Sequence, residues 1–403
     1  LKGNTKKTAK YIRAEDKYSS TSLRCDSQKV MLGSNFVKLE GLKPGKQPRL
    51  IFEPPGQDII VGRQSNAPYE KWMSRYPSVK GLKTQDKWQP VAEVHRKLGG
   101  DTWILALDDT ARDANTVPMD FVRYKKTLAS IGILTTEFAN ILDRRGFNNS
   151  VNMDGKPVMK IRSKTTSLLS GCDFTSCLNY NTTRFNAWYL CSKVLGLQRD
   201  QWGVVAEGDD CLILISKSAM PDFMDKITTT LIAETGKDLC KDWKIEGMGP
   251  HDQNEGHPFV GGAVVWSQGA IHFFPSVARM RLKATTVLSP SINYKECAGR
   301  LAARAEALTD RYSGVPLGYS IAKFVAHLSS KHPSRPRRTN EEIFDRTMYV
   351  NSDFRKYTDT ELYAFSKCYN ISCGDIEAFD TLIDNLIKDD VRVYDAQHLT
   401  KHW

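Results

Sequence analysis

Two apolar runs, Val204-Val205-Ala206 and Cys211-Leu212-Ile213-Leu214-Ile215, are separated only by Glu207-Gly208-Asp209-Asp210. An apolar run that stops at Gly-Asp and restarts at once reads as a tight β-hairpin. The tip then carries two carboxylates, Asp209 and Asp210. Strands hold position well, so a hairpin tip is a good place to fix metal ligands. The tripeptide alone is weak: average residue usage yields Gly-Asp-Asp in roughly one chain in ten of this length. A plain acidic turn explains it as well as a metal site does, so the rest of the chain must supply partners.

A second run, Thr102-Trp103-Ile104-Leu105-Ala106-Leu107, reads as a buried strand and also ends in carboxylates, Asp108-Asp109. Strand side chains alternate, so one of the two faces the hairpin. Asp113 lies five residues beyond Asp108. Ser170-Gly171-Cys172-Asp173-Phe174-Thr175-Ser176-Cys177-Leu178-Asn179 is a Ser-Gly loop feeding a helix that runs to about Leu195. Thr175 and Asn179, four apart, share a helix face. Capping explains one of these polar residues, not the set.

Upstream, 36–40 reads as a short strand with Lys38 on one face, and Pro44, Gly45 and Pro48 break any helix before Arg49 enters an apolar strand. Lys38, Lys43, Lys46 and Arg49 suit phosphate binding, Arg through its bidentate fork; a solvated basic turn is the competing reading. Pro54-Pro55-Gly56 turns the chain. A helix is expected over 87–98 with Gly99-Gly100 as its stop, and another over 121–133. A hairpin turns at Asp154-Gly155, and Lys160, Arg162 and Lys164 alternate onto one face. After the Gly-Asp-Asp hairpin come an amphipathic helix over 221–236, a short strand over 242–246 bearing Lys244, and a hairpin over 258–274 turning at Ser267-Gln268-Gly269. The remainder, 284–403, is mostly helical, broken by a basic Pro-rich loop over 331–338.

The 403 residues can form two or three domains or subdomains around a large core. Net charge is +11 with pI about 9.1, which favours anionic partners, nucleic acid first. No apolar run approaches the roughly 20 residues that span a bilayer. Nine cysteines, an odd number without a CxxC pair, argue for reduced thiols rather than a disulfide framework or zinc ribbon. Because the chain begins at Leu1 and not at Met, the expectation is a processed or truncated piece, with room for a membrane anchor upstream.

Carboxylates on neighbouring strand ends fit one chemistry well. Joining a nucleotide to a 3′-hydroxyl uses two Mg²⁺ (or Mn²⁺) ions about 4 Å apart. Mg²⁺ prefers a few carboxylates together with water and phosphate oxygens. Asp108 and Asp209 are the expected bridging ligands and Asp210 a supporting one, with Asp109 competing for the place of Asp108. Cations around Arg49 would grip the triphosphate. Lys244, or Lys241, would protonate the leaving pyrophosphate.

In order and rough spacing over 36–275, these pieces resemble the RNA-dependent RNA polymerases of positive-strand RNA viruses, most closely the tombusvirus-like group. The resemblance rests on a basic segment (Lys38, Lys46, Arg49), D-x4-D (Asp108, Asp113), S-G-x3-T-x3-N (Ser170, Gly171, Thr175, Asn179), Gly208-Asp209-Asp210, the Lys244 strand and the hairpin after it. It implies an α+β right-hand fold of fingers, palm and thumb with an antiparallel palm sheet. The implied division is fingers over 1–100 (basic nucleotide-admitting segment 36–52), palm over 101–124, a fingers insertion over 125–165, palm over 166–275 and a helical thumb over 276–403. It further implies that Asp113 and Asn179, with Ser170 or Thr175, read the ribose hydroxyls. The partners implied are RNA template and product, ribonucleoside triphosphates and other viral replication proteins. The expected location is the host cytoplasm, in membrane-associated complexes formed through partners or an upstream region. A reverse transcriptase would carry an aromatic where Asp113 stands and an aromatic-x-Asp-Asp hairpin. A non-enzymatic RNA-binding protein matches the basic composition but leaves clustered carboxylates at the ends of apolar strands without a purpose.

Overall fold

The apolar runs over 103–107 and 211–215 become adjacent strands at the centre of a four-stranded sheet. The computed structural model describes residues 31–37, 50–109, 113, 116–144, 146–153, 156–163, 168–169, 171–219, 243–285, 294–332 and 354–390. They form a mixed α/β structure with mainly antiparallel sheets, in two compact units: 31–80 with 93–248, and 81–92 with 249–390.

The first unit holds two sheets. In one, β1 (Met31–Val37) lies between β2 (Leu50–Glu53), antiparallel to it, and β4 (Phe147–Met153), parallel to it; β5 (Lys156–Ser163) pairs with β4 in the expected hairpin. The Asp154-Gly155 turn and Lys164 lie outside the described residues, as do Lys38, Lys43, Lys46 and Arg49. The other sheet has the order β6 (Trp202–Glu207), β7 (Asp210–Ser216), β3 (Thr102–Asp109), β8 (Trp243–Pro250). Ile104, Leu105, Ala106, Leu212, Ile213 and Leu214 are wholly buried. A sheet covered on both faces has no solvent side to alternate toward, which is why β3 and β7 read as continuous apolar runs. One face presents Leu105, Leu107, Cys211 and Ile213 to Ala187, Leu190 and Cys191. Of these three, Ala187 belongs to the Thr175–Tyr189 helix and the other two to the π-turn Leu190–Val194 that continues it.

A helix over Gly56–Met73 follows the Pro54-Pro55 turn, where the sequence offered only a turn. Its buried face mixes Val61, Tyr69 and Met73 with Asp58, Ser65 and Asn66, so apolar periodicity does not reveal it. The polar members are paired. Arg144 grips Asp58 with two bonds of 2.5 and 3.0 Å. The Tyr124 hydroxyl donates to Asn66 Oδ1 (2.7 Å), and Asn66 Nδ2 donates to Asp173 (3.2 Å). Burial raises the Tyr124 phenol far above its ordinary pKa, so it remains a donor. The helix expected over 87–98 spans Gln89–Lys97, and its stop is as expected: Gly100 N–H reaches His95 O at 3.0 Å with Gly99 and Gly100 both at positive φ.

In the second unit, β9 (His257–Phe259), β10 (Gly262–Ser267) and β11 (Ala270–Pro275) form an antiparallel sheet in the order β11-β10-β9. The β10–β11 turn is Gln268-Gly269, both at positive φ as a I′ hairpin demands. Among the described residues, five helices, Val277–Thr285, Tyr294–Tyr312, Gly318–Ser330, Asp359–Tyr369 and Cys373–Lys388, follow as the sequence led us to expect. Their core joins Phe274, Leu308, Tyr312, Phe365, Ile376 and Ile383. The helix expected over 221–236 and the loop over 333–338 lie outside the described residues. All seven cysteines among the described residues are free thiols, and no described helix is long and apolar enough to cross a membrane.

His257 is fully buried. Its Nε2 lies 3.1 Å from Pro250 O and its Nδ1 3.4 Å from Gln253 Nε2, a neutral tautomer with both nitrogens engaged. Burial lowers its pKa to about 4. The unfolded chain therefore takes up a proton near pH 6.5 that the folded chain refuses, and stability falls as pH drops from 6.5 to about 4. The loss is roughly 3 kcal/mol at most. In urea titrations, the stability difference between wild type and His257→Gln should shrink over that window; a difference flat from pH 7 to 4 would assign the acid sensitivity elsewhere.

Candidate active site

The Gly-Asp-Asp hairpin has the geometry that its sequence predicts. Glu207 pairs with Asp210, leaving Gly208-Asp209 as a two-residue loop. Gly208 sits at φ 67° while Asp209 is not in the left-handed region, the pattern of a II′ turn with glycine first. The β3–β7 ladder runs from Thr102↔Ser216 to Leu107↔Cys211. Continuing that register by one step sets Asp108 opposite Asp210, and the Asp108 charge does act on Asp210. Glu207, Asp210 and Asp108 thus occupy one row across three neighbouring strands and project from the same face.

Three carboxylates in a row repel one another. The strain is visible on Asp210, whose pKa is pushed up to about 7 by burial first, then by Asp209, Asp108, Glu207 and Glu246. Glu246 comes from β8, on the other side of β3. A sheet gains nothing in folding from such a cluster, and a bound cation would relieve it. Asp108, and not only its neighbour Asp109, therefore belongs to the cluster; the side chain of Asp109 lies outside the described residues. Among the described residues, no three His, Cys, Asp or Glu side chains close onto a single point that could hold a metal ion. That is compatible with Mg²⁺, which commonly takes one or two carboxylates and fills its shell with water and substrate phosphate. The donors are all hard oxygens, which suits Mg²⁺ or Mn²⁺.

Asp113 and Asn179 meet. Asn179 Nδ2 donates to Asp113 Oδ1 at 3.0 Å. Asn179 is 6% exposed, and its Oδ1 is buried with no hydrogen-bond partner among the described residues. A buried acceptor left open beside a carboxylate is well made to receive a hydroxyl proton. Thr175 starts the same helix, and its hydroxyl donates to Leu169 O (2.9 Å), fastening the loop. Ser170 lies outside the described residues.

Gly171 explains why this loop needs glycine. It adopts φ 109°, and a Cβ there would stand 2.3 Å from Phe52 O. The loop therefore lies directly on β2, the strand that Arg49 immediately precedes. The backbone of Lys244 lies in β8, within the carboxylate sheet, while its side chain and all of Lys241 are outside the described residues.

Several site residues escaped sequence reasoning. Glu207 and Glu246 join the carboxylate cluster; Glu207 was visible as the residue before the turn, and Glu246 as a strand-mate of Lys244. Ser78 bridges to Ala206, its hydroxyl donating to Ala206 O at 2.8 Å, and so braces the outer edge of β6. Lys80 donates to Ser176 (3.0 Å) and pairs with Glu70 (3.3 Å), bringing a cation to the start of the Asn179 helix. No local pattern marks either residue.

No known family profile matches the chain, and no curated protein matches it.

Proposed function

We propose that this chain is an RNA-dependent RNA polymerase that transfers nucleotides from ribonucleoside triphosphates to an RNA 3′-hydroxyl, as viral genome replication requires. The observation that carries the reading is the row formed by Asp108, Asp210 and Glu207 at the Gly-Asp-Asp hairpin. The Asn179–Asp113 hydrogen bond adds to it.

Asp108, Asp209 and Asp210 are the residues that would hold the two Mg²⁺ or Mn²⁺ ions. When bound, these ions acidify the attacking hydroxyl and offset charge on the triphosphate and the leaving pyrophosphate. The hairpin keeps the carboxylates in place through the paired strands behind it. Asn179 accepts a hydrogen bond from a ribose hydroxyl through its open Oδ1, while Asp113 holds the amide by its Nδ2. A deoxynucleotide leaves that buried acceptor unpaired, which is the physical basis for preferring ribose. Arg49, Lys38, Lys43 and Lys46 bind the triphosphate, and Lys244 or Lys241 delivers a proton to pyrophosphate.

Primer extension with ribo- and deoxynucleotides supplied separately tests the reading. Wild type should prefer ribonucleotides, and Asn179→Ala should narrow that preference by about 10- to 100-fold. A preference for deoxynucleotides in wild type would point to a reverse transcriptase. An unchanged ratio in Asn179→Ala would remove Asn179 from ribose recognition.

A further inference from the structure

The Thr175–Tyr189 helix has a second face of mixed cationic, polar and aromatic residues. At about 100° per residue, positions 181, 184, 185 and 188 stand on the side opposite Asn179. That side faces a groove of two contiguous cavities, of about 330 and 460 Å³, sharing Tyr76, Arg184, Arg199, Trp202 and Val204. Each lies within the roughly 300–1,000 Å³ typical of ligand sites. Trp202 sits at the far end of β6 from the Gly-Asp-Asp turn, five residues and roughly 17 Å before Glu207.

The groove combines aromatic surface with positive charge. Trp188 is 40% exposed, its ring 5.5 Å from that of Phe185. Trp72 contributes a further ring between Tyr69 (5.5 Å) and Tyr76 (4.9 Å). Arg184 stacks on Tyr76 at 4.5 Å, Arg199 on Trp202 at 4.6 Å and Arg123 on Phe185 at 4.2 Å. Arg75, Lys126, Arg184 and Arg199 line the cavities and form no ion pair with any described residue, and Asp200 is the one acidic residue among the described lining residues. A guanidinium stacked on a ring keeps its in-plane N–H groups directed outward, where a phosphate can accept from them. An aromatic wall beside such donors matches a ligand that alternates flat rings with phosphates.

We propose that this groove binds a short single-stranded segment of nucleic acid, separately from the catalytic hairpin. Bases stack against Trp188 and its neighbours, and phosphates bridge Arg184, Arg199, Arg75 and Lys126. That the strand is RNA rests on the polymerase reading; the groove itself does not.

The test uses full-length chain without metal or nucleotides, so it stands whether or not the chain polymerises. A single-stranded RNA of about ten nucleotides carrying 4-thiouridine is bound in the presence of saturating primer–template duplex, then photo-crosslinked and mapped. Crosslinks are expected within 69–76 and 184–202. Trp188→Ala should weaken binding by about 5- to 100-fold without changing melting temperature. Arg199→Ala should reduce the slope of log affinity against log salt by about 0.7. Unchanged affinity in both variants, with crosslinks confined to other segments, would overturn the proposal and leave the groove to an acidic protein surface.

Discussion

Asp108→Asn should lower nucleotide incorporation by about 1,000-fold, in line with the loss of one preorganised electrostatic partner at a reacting centre. The substitution keeps shape and strand geometry: β3 remains paired with β7 through Leu107↔Cys211, and the neighbouring core is wholly buried apolar side chains. Folding should therefore survive. Stability should even rise slightly, because one member leaves a row of like charges. Asp210 reports this directly. Its pKa, pushed up to about 7 in the metal-free protein, should move down in Asp108→Asn, though only in part because burial is the larger cause. Wild-type stability in chelator should also fall as pH rises from about 4 to about 7, since the folded form holds the Asp210 proton longer than the unfolded form does. Asp209→Asn should be as damaging as Asp108→Asn if the tip carboxylate bridges the ions. The register aligns Asp210 with Asp108, so Asp210→Asn is the informative comparison. Full activity in Asp108→Asn would remove the cluster from catalysis.

The second large effect belongs to Gly171. Gly171→Ala should destabilise the first unit by roughly 2–5 kcal/mol, combining a disfavoured φ with an overpacked contact. The contact is to Phe52 O at 2.3 Å, a backbone atom fixed in β2 that cannot swing aside. Gly208 is the natural control. It too has positive φ, at 67°, but nothing lies within 4 Å of its Cβ position. Gly208→Ala should cost less, roughly 1–3 kcal/mol, the penalty of a positive-φ turn conformation without any contact term. Urea unfolding of the two variants compares them directly. Equal destabilisation would mean that the loop does not rest on β2.

Much of this was legible in the sequence where one local rule suffices. The hairpin at Gly208, the strand before Asp108 and the stop at Gly99-Gly100 each follow from apolar runs and turn chemistry, and the structure contains all three. The pairing of Asp113 with Asn179 was an implication of the polymerase resemblance rather than of any local rule, and their side chains are 3.0 Å apart. What could not be read depends on distant pairing. The Gly56–Met73 helix hides its identity because its buried positions include Asp58 and Asn66, made tolerable only by Arg144, Tyr124 and Asp173 far along the chain. The parallel pairing of β1 with β4 joins segments more than a hundred residues apart. Glu246 enters the carboxylate cluster only because β8 lies next to β3. The cationic groove likewise assembles from five separate segments, around Tyr76, Lys97, Arg123, Arg184 and Arg199, none of which is a motif alone.

The most direct measurement is extension of a primed RNA template by one labelled ribonucleotide in Mg²⁺, comparing the wild-type chain with Asp108→Asn. The expected result is addition of the nucleotide complementary to the template by wild type alone. Wild type that adds nothing, or Asp108→Asn that adds as fast as wild type, would contradict the assignment of the Gly-Asp-Asp sheet as the catalytic centre of an RNA polymerase.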